Sequence, residues 1–89
     1  MLAKNKSNNI QICVKYLPNV KKGDKGDIVT ILQQELKYMG YLTVAPDGIF
    51  GSYTDAALKA FQTNINKVYG NFTVDGICGP KTWTKILIG

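Results

Sequence analysis

Apolar and polar positions alternate near the start of the chain and then change period. Ile10, Ile12, Val14 and Tyr16 are separated by Gln11, Cys13 and Lys15, a two-residue period that predicts a strand ending at Leu17-Pro18-Asn19. From Val29 the spacing becomes three and four. Val29, Leu32, Leu36 and Met39 place one apolar stripe on a helix of about three turns, and Gly40 stops it in the left-handed conformation. The preceding Gly23-Asp24-Lys25-Gly26-Asp27 reads as a turn in which Asp24 or Asp27 accepts bonds from the free amides of the first helical turn. Tyr41 to Pro46 is an extended connection. A second helix, capped by Ser52, carries the seam Thr54, Ala57, Leu58, Phe61 and Ile65. Asn66 to Thr73 reads as a loop with a turn at Gly70-Asn71. Pro80 suits the first position of a short third helix bearing Trp83, Ile86 and Leu87.

The pattern repeats. Asp47-Gly48-Ile49-Phe50-Gly51-Ser52-Tyr53-Thr54 and Asp75-Gly76-Ile77-Cys78-Gly79-Pro80-Lys81-Thr82 share Asp, Gly, Ile, Gly and Thr at an offset of 28 residues. A second echo, Val29-x-x-Leu32-Gln33 against Leu58-x-x-Phe61-Gln62, has an offset of 29. Each half thus pairs an apolar helix carrying a Gln with an Asp-Gly turn before the next helix. Asp-Gly lets the backbone reach positive φ, and the carboxylate bonds amides further along the loop. The Ile is expected to bury, the second Gly to permit close chain approach, and the Thr to add a hydroxyl in the helix's first turn. Gln33 and Gln62 are expected to bond loop backbone. Asp47 and Asp75 read as folding devices.

Composition narrows the chemistry. An 89-residue chain of 9.8 kDa, 45% apolar and 19% charged, has the size of one small domain. It contains no His, no Arg and a single Glu, Glu35, which reads as a solvated helix residue. The commonest general base and the commonest zinc ligand are therefore missing. Cys13, Cys78 and scattered Asp make a poor tetrahedral set, so no catalytic residue, no metal and no cofactor is expected. The net charge of +5 arises from eleven Lys against six acids. The Lys are dispersed, with one adjacent pair at Lys21-Lys22, and without Arg the planar fork used for phosphate and guanine is absent, which disfavours nucleic acid. No apolar run reaches the ~18–20 residues of a bilayer span. Residues 1–9 lack the apolar stretch of about 7–15 residues found in a signal peptide. Whether Cys13 and Cys78 pair is left open.

From about Val20 to Leu87 the chain resembles the type 1 peptidoglycan-binding domain family, which is attached to cell-wall hydrolases. The resemblance rests on Gly23-Asp24-x-Gly26, Val29-x-x-Leu32-Gln33-x-x-Leu36 and Gly40-Tyr41. It continues through Asp47-Gly48-Ile49-Phe50-Gly51-x-x-Thr54, Phe61-Gln62 and Val74-Asp75-Gly76-Ile77-x-Gly79-Pro80-Lys81-Thr82-Trp83. It implies an all-α, compact three-helix domain of two half-repeats at residues 20–89; the strand-like arm at residues 1–19 before it is read from the alternation alone. The implied role is non-catalytic binding of peptidoglycan, through glycan, stem peptide or both, holding an associated hydrolase or phage lytic protein at the cell envelope or outside the cell. An alternative is a structural or assembly module, as in a phage tail, with the arm pairing to another chain. A wall-polymer site needs hydrogen-bonding groups, an aromatic face and a cation. Tyr53, Thr54, Lys81, Thr82 and Trp83 are the candidates, with Tyr41 and Gln62 behind them, in a shallow groove where the two Asp-Gly turns approach; Trp83 reads first as a packing residue of the third helix and second as a ligand contact. Cys78, at the repeat position of Phe50, reads as core. The segment Asn66–Phe72 is longer than the family pattern, Ser52 stands where the second turn has Pro80, and the arm lies outside the pattern.

Overall fold

A computed structural model describes residues 17–88; the predicted strand at Ile10–Tyr16, and Cys13 with it, lies outside the described residues. Three helices follow in order: α1 (Asp27–Tyr38), α2 (Ser52–Tyr69) and α3 (Pro80–Leu87). The described chain contains two isolated antiparallel bridges, Val20 with Cys78 and Lys25 with Ile49, rather than a sheet.

The apolar stripe of α1 buries Val29, Leu32 and Leu36, with Gln33 among them. Its end is as the sequence predicts. Gly40 takes φ 91°, its amide reaches the Lys37 carbonyl, and the Tyr41 amide reaches the Leu36 carbonyl, which pairs two carbonyls the helix would leave free. Its start differs. The residue before the helix is Gly26, and no side chain caps it. The Asp24 carboxylate instead accepts the Lys21 amide at 3.0 Å, closing the turn upstream. Asp27 is already helical, where its charge still favours the positive end.

Ser52 likewise lies inside α2 rather than capping it; Gly51 holds that place, as Gly79 does before α3. The repeat supplies the reason. Ser52 is equivalent to Pro80, which lacks an N–H and sits at the first helical position. At the other end α2 continues past Ile65 to Tyr69, so half of the expected loop is helix. Asn66, Lys67, Val68 and Tyr69 are exposed and carry no apolar stripe, but nothing in them breaks a helix before Gly70. Gly70 and Asn71 then turn the chain at φ 76° and 55°, and the Phe72 amide donates to Asn66 Oδ1 at 3.0 Å.

The interior lies between the helices and the segment leading into α1. Trp83 and Phe50 are its largest fully buried side chains, and Cys78 is buried at the place equivalent to Phe50, as the repeat implies. Burial, and then the charge of Asp75, pushes the Cys78 thiol well above its ordinary range. Residues 17–26 act as a strap across both Asp-Gly turns. Val20 exchanges amide–carbonyl bonds with Cys78 at 3.2 and 2.8 Å, while Gly26 donates to Gly48 and Phe50 to Asp24, both at 2.9 Å. Leu17 packs on the core, and Trp83 Nε1–H donates to the Pro18 carbonyl at 3.1 Å, so Leu17 and Pro18, placed with the arm on sequence, take part in this packing. No helix among the described residues is long and apolar enough to cross a membrane.

Trp83 joins the end of the chain to its strap. Trp83→Ala should lower unfolding free energy by about 3–5 kcal/mol, read as a fall in the urea midpoint.

Candidate functional site

Each Asp-Gly turn is built around one buried carboxamide. Gln33, on the core face of α1, donates through Nε2 to Asp47 Oδ1 (3.0 Å), the Ile49 carbonyl (2.9 Å) and Thr54 Oγ1 (2.9 Å). Its Oε1 accepts the amides of Asp47 (3.0 Å) and Gly48 (2.8 Å), and Asp47 Oδ1 also accepts the Ile49 amide at 3.0 Å. Gln62, on α2, repeats every bond. Its Nε2 donates to Asp75 Oδ1 (3.1 Å), the Ile77 carbonyl (3.0 Å) and Thr82 Oγ1 (3.2 Å). Its Oε1 accepts the amides of Asp75 and Gly76 at 3.2 and 2.9 Å, and the Ile77 amide donates to Asp75 Oδ1 at 2.9 Å. An NH2 group has two hydrogens, so three acceptors share them. No buried side-chain N or O among the described residues lacks a partner.

The glycine after each Asp is required by its backbone conformation, and a side chain there would also displace neighbouring side-chain ends. Gly48 and Gly76 have φ 77° and 73°. A Cβ on Gly48 would sit 2.9 Å from Thr30 Oγ1, and one on Gly76 would sit 2.6 Å from Asp55 Oδ1. Two expectations about the turn are corrected. Ile49 is 52% exposed and Ile77 half-buried, because the backbone of each is turned inward to its Gln and the next residue, Phe50 or Cys78, fills the core. The second glycine is not forced by crowding: Gly51 and Gly79 are extended, and a Cβ would meet nothing at Gly51 and only ordinary contact with Asn19 at Gly79.

The predicted site residues separate into two groups. Thr54, Gln62, Thr82 and Trp83 are buried, the first three with their polar groups engaged in the turn networks. Tyr53 is 71% exposed and Lys81 is exposed, each two residues into its helix, at equivalent places. Tyr41 is half-buried, edge-on to Phe61 with ring centroids 5.6 Å apart. Each turn lines a concavity of its own. Val44, Asp47, Ile49, Gly51 and Tyr53 border a shallow one of about 90 Å³. Their equivalents Phe72, Asp75, Ile77, Gly79 and Lys81, joined by Asn19, border one of about 310 Å³. A neighbouring hollow of about 380 Å³ shares Phe72 and Lys81 and adds Tyr69, Asn71, Thr84 and Lys85, which the sequence reading did not single out. The signal that could have found them is the aromatic pair Tyr69 and Phe72 before the turn and the lysine pair Lys81 and Lys85, four residues apart, after it.

Fold and site together define a module made by duplicating a Gln-anchored turn between helices. The chain belongs to the family described as Putative peptidoglycan binding domain, whose pattern matches residues 25–86. Over 63 residues it is 40% identical to the spore cortex-lytic enzyme of Bacillus cereus, a match covering 71% of this chain and 22% of that enzyme. It superposes on the crystal structure of the SleB N-terminal domain with a TM-score of 0.70 and 36% identity, covering 78% of this chain and 88% of that one. On the Burkholderia AP3 phage endolysin the TM-score is 0.71 at 36% identity, covering 81% of this chain and 26% of that one. The chain spans 64% of the length of one curated relative it matches and 22% and 13% of two others.

Replacing Gln62 by Leu strands the Asp75 and Gly76 amides. The expected loss is about 2–4 kcal/mol of stability, measured by urea unfolding. Asp47 offers a second test. The Ile49 amide, then the Gln33 carboxamide, hold its carboxyl below the ordinary value of 3.8. Its contribution is therefore complete above 3.8 and disappears as pH falls through the lower, folded value. Between about pH 5 and pH 2 the urea midpoint of the wild type should fall more steeply than that of Asp47→Asn.

Proposed function

We propose that this domain binds bacterial peptidoglycan and does not cleave it, serving to hold an associated lytic or remodelling enzyme at the cell wall. The observation that carries the reading is the family's motif built twice into one rigid body, each copy presenting a concavity beside an exposed Tyr or Lys. The groups inside the turns are committed to structure, since both Asp Oδ1 atoms accept from a carboxamide and a backbone amide. A non-catalytic reading is favoured by the sequence, which has no His to serve as the commonest general base. The surface contacts in this reading are Tyr53 and Lys81, with the exposed edge of Tyr41. Thr54, Gln62, Thr82 and Trp83 support them from beneath by fixing the turns.

Purified sacculi should retain the domain at modest salt without losing turbidity. Tyr53→Ala should weaken retention about fivefold with an unchanged circular dichroism spectrum. Wild-type protein left wholly in the supernatant, or clearing of the wall suspension, overturns the reading.

A further inference from the structure

The two half-repeats have diverged on their outer faces. Where the first has the exposed Tyr53 and the buried Ala57, the second has the exposed Lys81 and the half-buried Lys85. Each of these lysines stands over an aromatic ring: Lys81 Nζ lies 5.6 Å from the Phe72 centroid and Lys85 Nζ 3.9 Å from that of Tyr69. Both rings and both cations border the hollow of about 380 Å³ between the end of α2 and the face of α3, with Asn71 and Thr84 as the other polar side chains. None of the residues lining it is acidic. Asp75 lines the adjoining concavity, which Lys81 also borders, and its Oδ1 is held by Gln62 and the Ile77 amide.

We infer that this hollow is the subsite for the peptide stem of peptidoglycan, with Lys81 and Lys85 receiving stem carboxylates. The inference rests on the wall-binding reading above and deepens it. Charge decides between the two parts of the polymer. N-acetylated sugars are neutral and stack on open aromatic faces, whereas here an ammonium occupies one face of each ring. Stem peptides carry free carboxylates, for which paired cations without a competing acid are the complement. Ring stacking also limits the freedom of the two long lysine side chains, so less rotamer entropy is lost when a carboxylate arrives.

The test uses a soluble disaccharide–tetrapeptide and, as a neutral N-acetylated disaccharide without a carboxylate, di-N-acetylchitobiose, each titrated into the domain by NMR. Sacculi freed of teichoic acid provide the second arm. The peptide-bearing probe should shift the amides around Tyr69, Asn71 and Lys85, and the bare disaccharide should not. Lys81→Met and Lys85→Met should each lower affinity for the peptide-bearing probe about tenfold, while Lys37→Met, on the last turn of α1, should leave it unchanged. Equal shifts from both probes, or a Lys81→Met/Lys85→Met variant retained on sacculi like wild type, overturn this inference and leave the wall-binding reading intact. Equal losses from Lys37→Met reduce the effect to net charge and also overturn it. Failure of the wild type to bind sacculi removes both.

Discussion

The structure depends on a side-chain carboxamide that must satisfy a backbone turn. Gln33 and Gln62 are each almost wholly buried, and a buried amide left unpaired is costly. Each can be satisfied only if the Asp-Gly turn and the Thr of the next helix come to it in one arrangement. Gln suits the task because its end group both donates and accepts. Glu has no donor for the Asp carboxylate and the Ile carbonyl, Lys has no acceptor for the two amides, and Asn is one carbon short of the same reach. The bond set therefore fixes the direction in which the chain leaves one helix and enters the next.

Using the device twice, with α2 shared, makes a domain out of very little core. A chain of this size buries a limited fraction of its apolar surface, so polar networks with no unpaired member carry an unusual share of the specificity. The strap at residues 17–26 converts two local devices into one body, because it bonds the backbone of both turns, and Trp83 closes on its Pro18 carbonyl. The outer positions of each turn are left without structural duties. Such positions can diverge without loss of fold, and Tyr53 and Lys81 stand at equivalent points with different chemistry.

A rigid module with small concavities suits an insoluble, repetitive polymer. Individual contacts need only be modest, because the polymer presents many copies of each and a tethered partner gains effective concentration from every binding event. The extension of α2 to Tyr69 belongs to the same picture: it carries an aromatic side chain to the face of α3, where Lys85 meets it.

Periodicity and the duplicated motif made the three helices, the core stripe of α1, the left-handed stop at Gly40 and the equivalence of Cys78 with Phe50 legible before any coordinates. These are local properties: a 3.6-residue stripe, a proline at a first helical position and a glycine at positive φ act within a few residues of themselves. The sequence also marked Gln33, Gln62, the two Asp and the two Thr, but as separate signals. That they form two networks, one at each turn, is a matter of residues 13 to 21 positions apart meeting in space, which only the tertiary structure decides. Burial was decided at the same level. Thr54, Thr82 and Trp83 have the chemistry of ligand contacts and lie inside, whereas Ile49 has the chemistry of a core residue and lies at the surface, because the carboxamides turn the backbone and the side chains follow.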